Sequence, residues 1–346
     1  MRAASFDQHG GPEVLTIRDW ADPEPGPGQV RVRVAGCGVN HLDIFVRQGI
    51  PGVGPFPHIP GSEVSGTIDR LGAGVEPGRI EVGTAVVVAP GRGCGRCRDC
   101  RRGRDNLCAD FRVLGNQRQG GFAEFVVVEA DDCIPVGDRI PLEDWAAVPL
   151  VFQTAWNMLH ALGCVQSGDE VLVESAGSGV GTAAIQVATL AGARVIATAG
   201  GAEKCERLRS MGVERVIDHT CEDVRKSVLS STSGRGVDIV VSHVGGAAFV
   251  KSLGCLARGG RLVTCGATAG PKIEVDYRFV FTRELTIRGA YLGSRADLDA
   301  VVALVDAGRL APVIDRRLPL DRLDEAHRLM AERNQFGKTI ILPTIA

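Results

Sequence analysis

From residue 150 to about residue 290, the sequence alternates between short apolar runs and longer segments with helical periodicity. The apolar runs are typical of buried strands and read EVLVESA, ARVIATAG, ERVID, VDIVVSHVG and GRLVTCGA. The segments between them include VGTAAIQVATLAG, VRKSVLSS and AAFVKSLGCLA, which have the apolar spacing of helices. Repeated strand–helix units place their strands in one parallel sheet with helices on both faces. The pattern therefore predicts a doubly wound α/β domain.

Residues 1–149 have a different pattern, rich in strands and turns. VRVRVAG alternates apolar and polar residues, TAVVVAP and FAEFVVVE are short apolar runs, and prolines are dense from Pro23 to Pro60. This pattern predicts a barrel-like or sandwich-like domain. The pattern changes at AAVPLVFQTAWNMLHAL, which predicts a helix over 146–162. Residues 291–346 contain a further helical segment, end in GKTIILP before the last residues, and could belong to either domain.

The overall charge excludes some classes of partner. The chain has 346 residues, 39 of them basic and 41 acidic, for a formal net charge of −2. This balance gives no global attraction to nucleic acid or anionic lipid. No apolar run approaches the roughly 18 residues that a membrane span needs, and the N-terminus lacks the apolar core of a signal peptide. We expect a cytoplasmic protein in which any anionic ligand is bound by local groups rather than by the overall charge.

A glycine-rich turn, AGSGVG, lies between the first apolar run of the α/β region and the helix that follows it. Glycine lets the backbone approach a pyrophosphate, whose charge is stabilised at a helix N-terminus. The turn departs from a strict GxGxxG pattern at Ala176 and Ser178, and an ordinary strand–helix loop is the alternative. We predict a dinucleotide site formed by Ala176, Gly177, Ser178, Gly179, Val180 and Gly181.

The next apolar run ends in Thr198-Ala199-Gly200-Gly201, without the acidic residue that binds the ribose of NAD. The absence leaves room for the 2′-phosphate of NADP. Lys204 or Arg207 could neutralise that phosphate, or both could simply lie on a solvated helix face. The sequence therefore favours NADP(H) over NAD(H), with contacts at Thr198, Gly200 and Lys204.

Four of the 11 cysteines, Cys94, Cys97, Cys100 and Cys108, fall within fifteen residues. This spacing offers four thiolates for a closed tetrahedral zinc site, which is structural because no coordination position stays open. Nearby arginines would offset the charge of a zinc–thiolate cluster. The alternative is a loop of free cysteines without metal. The other seven cysteines are scattered, as small buried residues are.

Several landmarks together resemble the medium-chain dehydrogenase/reductase superfamily, which includes zinc-type alcohol dehydrogenases and quinone oxidoreductases. They are CGVNHLD, PHIPGSEVSG, GCGRCRDCRRGRDNLC, GGFAEFVVV, AAVPLVFQTAW and AGSGVG. The resemblance implies a GroES-like catalytic domain with a zinc lobe over 1–149, a Rossmann domain over 150–290, and a return segment over 291–346 that completes the catalytic domain. It also implies a homodimer or homotetramer, formed through the edge strand TIRGAYLG.

The sequence departs from the zinc enzymes of this superfamily at the catalytic metal. The three ligand positions carry Asn40, Ser62 and Leu150, and Glu63 is the one plausible donor left. A single carboxylate does not hold a catalytic zinc. We therefore expect one structural zinc and no catalytic zinc, and an NAD(P)H-dependent reduction of a quinone, an enone or a carbonyl. Without a Lewis acid, alcohol oxidation has weaker support.

Three neighbouring side chains are the catalytic candidates. The amide of Asn40 and the imidazole of His41 could donate to the oxygen that becomes negative, and Asp43 could orient them. Each has an alternative, because Asn40 could cap a turn, His41 could face the pyrophosphate and Asp43 could be a helix cap. The resemblance further implies that Thr154 packs against the nicotinamide and that His219 lies beside the adenine ribose, with a surface histidine as the alternative for His219. The remaining histidines include His58, His243 and His327, to which no role is assigned.

Two other functions remain open. One is a zinc alcohol dehydrogenase with unconventional ligands such as Cys37, His41 and Glu63. The other is a nucleotide-binding protein without turnover. Zinc counting separates the first from the reductase, and NADPH oxidation separates the second from it.

Overall fold

Residues 1–76, 78 and 80–343 are described by the computed structural model. The chain divides into two units, one formed by residues 1–150 and 294–346 and the other by residues 151–293. The sequence pattern did not assign residues 291–346 to either domain. In the structure, residues 294–346 belong to the first unit. In the described ranges, no helix combines the length and apolar character required to cross a membrane.

The first unit is built mainly from strands, numbered here along the whole chain. They are β1 (Arg2–Ser5), β2 (Thr16–Asp19), β3 (Gln29–Gly38), β4 (Glu63–Leu71), β5 (Ala85–Val88), β6 (Gly91–Arg92), β7 (Arg112–Val113), β8 (Phe125–Glu129), β9 (Cys133–Pro135), β16 (Ile314–Pro319) and β17 (Lys338–Leu342). Within the described residues, the largest sheet has the order β16-β17-β3-β4-β5-β9, with β8 also paired to β3. All its pairs are antiparallel except β16 with β17.

Strand β3 shows why this sheet forms. Its valines alternate with arginines, and Val30, Val32 and Val34 are at most 2% exposed. They pack in a core with residues of β4, β5 and β8. A strand with this alternation buries one face of the sheet. The predicted β-rich domain is confirmed.

The helices of the first unit are few. They are α1 (His41–Gln48), α8 (Arg295–Asp306) and α9 (Leu323–Ala331), with short 3-10 turns at Pro12–Val14, Cys100–Arg102, Asp105–Leu107, Ala130–Asp132, Leu142–Ala147 and Leu320–Arg322. Helix α1 follows β3 after two residues, and Gly49 ends it in the left-handed conformation with φ 106°. This short connection fixes the start of α1 beside the end of β3.

The second unit contains six strands and six α-helices in the described part of the chain. The strands are β10 (Glu170–Val173), β11 (Arg194–Ala199), β12 (Arg215–Asp218), β13 (Val237–Ser242), β14 (Leu256–Thr264) and β15 (Thr286–Gly289). The helices are α2 (Val151–Trp156), α3 (Gly179–Leu190), α4 (Ala202–Ser210), α5 (Val224–Ser231), α6 (Gly246–Leu253) and α7 (Tyr277–Thr282), and a π-helical turn at Asn157–Leu162 continues α2.

All strands of this unit are parallel and follow the order β12-β11-β10-β13-β14-β15. The strand order reverses between β10 and β13, which lie side by side although three helices and two strands separate them in sequence. Ligands of open α/β sheets bind at this reversal, beyond the carboxyl ends of the strands. The predicted doubly wound sheet is confirmed.

Two predicted boundaries differ from the structure. The helix predicted over 146–162 starts only at Val151, because Pro149 precedes it and residues 142–147 form a 3-10 turn. The helix predicted at AAFVKSLGCLA ends at Leu253, and Leu256 begins β14 by pairing with Val237. A short apolar run fits a buried strand and a buried helix equally well, and only the pairing decides between them.

Candidate active site, dinucleotide turn and zinc site

The four clustered cysteines come together. The Sγ atoms of Cys94, Cys97, Cys100 and Cys108 all lie within 4.8 Å of one another. The turns of this loop need glycine, since a Cβ atom at residue 93 would lie 2.8 Å from Sγ of Cys100. Backbone N–H groups of Arg96 and Cys97 lower the pKa of the Cys94 thiol to about 6, which favours the thiolate that zinc binds, whereas burial and then the Cys97 side chain raise the pKa of the Cys100 thiol to about 12. The donor set, four thiolates and no water position, fits a structural zinc.

The surroundings of this zinc lobe, residues 91–113, are partly as predicted. Among its arginines, Arg92 pairs with Asp132 at 2.7 Å and Arg104 pairs with Asp99 at 2.7 Å. These two therefore compensate carboxylates and not only a metal cluster. The backbone N–H of Arg295, the first residue of α8, donates to Asp105 at 2.9 Å and connects the lobe to the rest of the first unit.

The glycine turn has the geometry of a dinucleotide site. Ser178 caps α3, and its Oγ accepts from the N–H of Gly181 at 3.0 Å. A Cβ atom at residue 181 would lie 2.6 Å from Cα of Ala176, so only glycine allows this close packing of helix and strand. Gly177 lies in the turn before α3, Gly179 is the first residue of α3, and Val180 follows it. The residues fit the pyrophosphate of a dinucleotide.

The neighbouring strand ends complete this edge of the sheet. Thr198 in β11 is buried, and its Oγ1 accepts from the N–H of Ser175 at 3.1 Å, so it supports the turn. A Cβ atom at residue 200 would lie 3.1 Å from Nε2 of His219, which places that histidine beside Gly200. Lys204 lies in the first turn of α4.

Sequence reasoning missed Asp218, which ends β12. Its Oδ1 accepts from the N–H of Gly201 at 3.1 Å and from Thr220. Hydrogen bonds from Thr220 and Gly201 lower the pKa of Asp218 to about 2, so a fixed negative charge lies at the end of β11. The sequence feature that could have indicated Asp218 was a carboxylate directly after the strand-like run ERVI.

His243 was also unassigned. It follows β13, and its Nε2 lies 2.9 Å from Oγ of Ser178. The histidine therefore belongs to the same edge of the sheet as the glycine turn.

In the first unit, the catalytic candidates surround a buried lysine that sequence reasoning did not single out. Nζ of Lys338 donates to Glu63 at 2.7 Å, to Oδ1 of Asn40 at 2.8 Å and to the carbonyl of Val39 at 2.7 Å. Lys338 is 3% exposed and Glu63 is fully buried. Pairing of Ile340 with Gly38, and of Gly38 with Glu63, aligns β17, β3 and β4 so that the three side chains meet.

The other carboxylate oxygen of Glu63 is also hydrogen-bonded. Oε1 accepts from the backbone N–H of Leu150 at 2.8 Å, and Oε2 also accepts from Nδ2 of Asn40 at 3.1 Å. In the described part of the chain, the cysteine cluster is the one group of three or more His, Cys, Asp and Glu side chains spaced for a metal. The alternative ligand set of Cys37, His41 and Glu63 is therefore not brought together.

Both polar atoms of the Asn40 side-chain amide are hydrogen-bonded within the protein. Its Nδ2 donates to Glu63 and to the carbonyl of Gly38 at 3.1 Å, while its Oδ1 accepts from Lys338. Both amide hydrogens are thus used within the protein, and the predicted donation from Asn40 to a substrate oxygen has no hydrogen left to make it.

His41 and Asp43 have opposite environments. His41, the first residue of α1, is half-buried, and burial together with the charge of Lys338 lowers its pKa to about 4. Asp43 is fully buried, and burial raises its pKa to about 7 although its Oδ2 accepts from the N–H of Asn40 at 2.7 Å. At neutral pH the imidazole is therefore uncharged and able to donate from one nitrogen. Asp43 fixes the start of α1, as a helix cap does.

Thr154, expected beside the nicotinamide, is a buried residue of α2 in the second unit. His58, which had no assigned role, is buried and hydrogen-bonded through Nε2 to the carbonyl of Gly115 at 3.0 Å. His58 is therefore a structural residue of the first unit.

Known proteins share both units. Residues 26–138 match the family model of the alcohol dehydrogenase GroES-like domain, and residues 179–307 match that of zinc-binding dehydrogenases. A quinone oxidoreductase of Pseudomonas aeruginosa is 31% identical over 98% of this chain and 98% of its own. An acryloyl-coenzyme A reductase of Sulfurisphaera tokodaii is 28% identical over 94% of this chain and 96% of its own. The crystal structure of an NAD-dependent alcohol dehydrogenase is 43% identical, with a TM-score of 0.95, and the match covers 99% of this chain and 100% of that one.

The parallel sheet, its glycine turn and these relatives define an NAD(P)H-dependent oxidoreductase. The chain belongs to the medium-chain dehydrogenase/reductase superfamily. The resemblance drawn from the sequence is confirmed, and a nucleotide-binding protein without turnover is not what the relatives support.

Proposed function

We propose that this enzyme transfers a hydride from NAD(P)H to an electron-poor acceptor, a quinone, an enone or an activated carbonyl, without a catalytic zinc. The observation that carries the proposal is the occupancy of Glu63. The carboxylate left at the catalytic-metal positions is held by Lys338, Asn40 and the N–H of Leu150. Asn40, Ser62 and Leu150 supply no thiolate, imidazole or carboxylate there. The quinone oxidoreductase and acryloyl-coenzyme A reductase among the relatives support the same class of acceptor.

Without a metal, a protein group has to stabilise the oxygen that becomes negative. When bound, NAD(P)H would supply a hydride, which is two electrons and one hydrogen, and the proton that neutralises the resulting oxyanion would come from water. We assign the donor to His41, because its imidazole is neutral and half-buried. Neutral histidine acts as a donor to a carbonyl oxygen in other enzymes. Asn40 and Asp43 are assigned as positioning residues that fix His41 at the start of α1.

The cofactor preference is a second proposal. NADP(H) is supported by the absence of a carboxylate at residues 199–201 and by the basic residues of α4, Lys204 and Arg207. Asp218 is the observation that favours NAD(H), since its charge lies next to Gly201. Comparing kcat/KM for NADPH and NADH separates them. Lys204→Ala is expected to weaken NADPH binding about tenfold and leave NADH binding unchanged, with Lys226→Ala, exposed on α5, as the matched control. Equal effects on both cofactors would contradict the assignment.

The assembly is a third proposal. Strand β15 is the edge of its sheet, paired to β14. Ile287 on this edge is 42% exposed, and Tyr277, Phe281 and Tyr291 nearby in sequence are more than half exposed. Strand β15 reads Thr-Ile-Arg-Gly, and an edge strand with an exposed apolar side chain favours pairing with a second copy. We propose a homodimer, or a tetramer built from it, through this edge.

The function is tested by a substrate panel. NADPH and NADH oxidation is followed with a quinone, an enone and an aldehyde, and NADP⁺ and NAD⁺ reduction with primary and secondary alcohols. The proposal expects turnover of at least one electron-poor acceptor that exceeds alcohol oxidation. Faster alcohol oxidation that is lost on removal of a second zinc would instead establish the alcohol dehydrogenase reading.

A further inference from the structure

The second unit contains a cavity that the proposed hydride transfer does not use. Its volume is about 710 Å³, within the range of sites that bind small molecules, and it lies between α6 and the segment 272–279. Its apolar side chains come from α6, from the segment before α7 and from α7 itself, and they are Val250, Leu253, Ile273, Val275 and Phe279. Among the described residues that line it, none belongs to the glycine turn at 176–181.

Three cations line the same cavity. They are Arg225 at the start of α5, Lys251 in the last turn of α6, and Lys272, which precedes α7. All three are exposed, and in the described part of the chain no carboxylate forms an ion pair with any of them. Two of the five lysines of the whole chain therefore lie at this one cavity.

Two further arginines lie next to the cavity. The guanidinium of Arg283 stacks on the ring of Phe279, 4.7 Å from the ring centroid. Burial, followed by the charges of Arg225 and Arg258, lowers the pKa of Arg283. Both Arg258 and Arg283 donate to backbone carbonyls, and within the described residues neither forms an ion pair with a carboxylate. These cations therefore repel one another without a compensating charge.

The acidic groups of the cavity do not balance them. Asp276 lines the cavity and is paired with Arg278 at 2.7 Å. Glu274 also lines it and is exposed. Asp223, two residues before Arg225, caps α5 by accepting from a backbone N–H of that helix. The lining thus has an excess of positive charge, which favours an anionic ligand.

We propose that this cavity binds an amphiphilic organic phosphate. The phosphate lies at Lys251, Lys272 and Arg225, and the apolar part of the ligand packs against Val250 and Ile273. Guanidinium and ammonium groups are the usual ligands of phosphate in proteins. A phosphate monoester carries nearly two negative charges, so it compensates several cations better than a carboxylate does.

Stabilisation of helix ends is the competing explanation. Nε of Arg225 donates to the carbonyl of Gly254 at 3.2 Å, just after α6, and Lys251 lies where a cation interacts favourably with the helix dipole. This explanation does not include Lys272, which lies outside the helices. It predicts that loss of the two lysines lowers the melting temperature and leaves ligand binding unchanged.

The test measures binding to the whole enzyme by calorimetry, with decyl phosphate below its micelle concentration as the probe. Decanol carries only the apolar part and inorganic phosphate only the charge, and we expect decyl phosphate to bind at least tenfold more tightly than either. The double variant Lys251→Met/Lys272→Met keeps the apolar stems and removes two charges. We expect it to raise the Kd of decyl phosphate about tenfold and to leave the Kd of decanol within twofold.

Lys226→Met, at an exposed lysine of α5 that does not line the cavity, is the matched control and should keep the wild-type Kd. An equal loss in this control would reduce the effect to overall charge and overturn the proposal. Equal affinity of the wild type for decyl phosphate and decanol would overturn it as well. Displacement of decyl phosphate by saturating NADPH would assign the phosphate to the dinucleotide site and contradict a separate one.

Discussion

The ion pair of Lys338 with Glu63 is the residue-scale feature on which the candidate active site depends. Both side chains are removed from water, and hydrogen bonds from Asn40 and Leu150 satisfy the carboxylate. Isolated buried charges are costly, but a pair with its remaining hydrogen bonds made is tolerated. Removing one partner should therefore cost more than the pair itself contributes.

Lys338→Met tests this. The variant leaves the charge of Glu63 buried, and we expect the free energy of unfolding to fall by about 3 kcal/mol in urea titrations. Lys226→Met, a change of the same side chain at an exposed position, is the control and should stay within about 0.5 kcal/mol. Adding Glu63→Gln to Lys338→Met should restore part of the loss. Equal stability of wild type and Lys338→Met would contradict the role of the pair.

Buried titratable groups also set the pH dependence of stability. His327 is fully buried, and burial and then the charge of Arg47 lower its pKa to about 3, well below the roughly 6.5 of an unfolded chain. The unfolded chain then binds more protons between those values, so stability falls as pH drops from about 6.5 towards 3. Asp43 acts in the opposite sense, because burial raises its pKa to about 7 and stability falls as pH rises from about 4 to 7.

Two variants are expected to change the slope in opposite directions. His327→Leu should flatten the loss of stability below pH 6.5, by at most about 1.4 kcal/mol per pH unit. Asp43→Asn should make stability rise more steeply between pH 4 and 7. Urea titrations at several pH values measure both slopes. Parallel curves for all three proteins would contradict these assignments.

At the scale of elements, the zinc lobe is a loop with little apolar core of its own. Leu107 is 57% exposed, and the contacts of the lobe with the first unit include the hydrogen bond from Arg295 to Asp105. Metal binding supplies folding free energy to small sites of this kind. We therefore expect a zinc ion held by the four thiolates to stabilise the lobe and to take no part in hydride transfer.

Cys97→Ser is expected to release zinc and lower the melting temperature while NADPH affinity stays unchanged, because the dinucleotide turn lies in the other unit. Cys164→Ser, a change at an exposed cysteine outside the cluster, is the control. Thermal unfolding and zinc analysis of both variants check it. Melting of Cys97→Ser at the wild-type temperature would contradict a structural role for the metal.

Local patterns predicted the elements well, since strand alternation, helix spacing and the glycine turn are properties of short segments. The end of α6 and the start of β14 were misplaced because Leu256 becomes a strand residue only by pairing with Val237. Lys338 and Asn40 are 298 residues apart, and the register of β17 on β3 brings them together. The sequence shows a charged residue, Lys338, at the start of the apolar strand KTIIL. The sequence alone does not identify the residues with which Lys338 pairs.

At the scale of the whole molecule, the assembly is tested through β15. Ile287→Asp places a charge on the exposed edge strand, and we expect light scattering to show a shift from dimer to monomer mass. Val82→Asp, at a hydrophobic residue that is 63% exposed in the first unit, is the control and should keep the wild-type mass. An Ile287→Asp variant that remains a dimer would place the interface elsewhere.

We propose that the two units have different functions in the enzyme. The first unit provides four cysteines that fit a structural zinc and a polar network around Lys338, and the second provides the glycine turn. Each of these sites lies within one unit. We propose that the reduction needs no catalytic metal.

The most direct test is the number of zinc ions per chain in enzyme that is turning over NAD(P)H with its best electron-poor acceptor, measured by elemental analysis. We predict one equivalent, held by the four cysteines, with the Cys97→Ser variant reduced towards none. Two equivalents per chain, with turnover lost as the second is removed, would contradict the account.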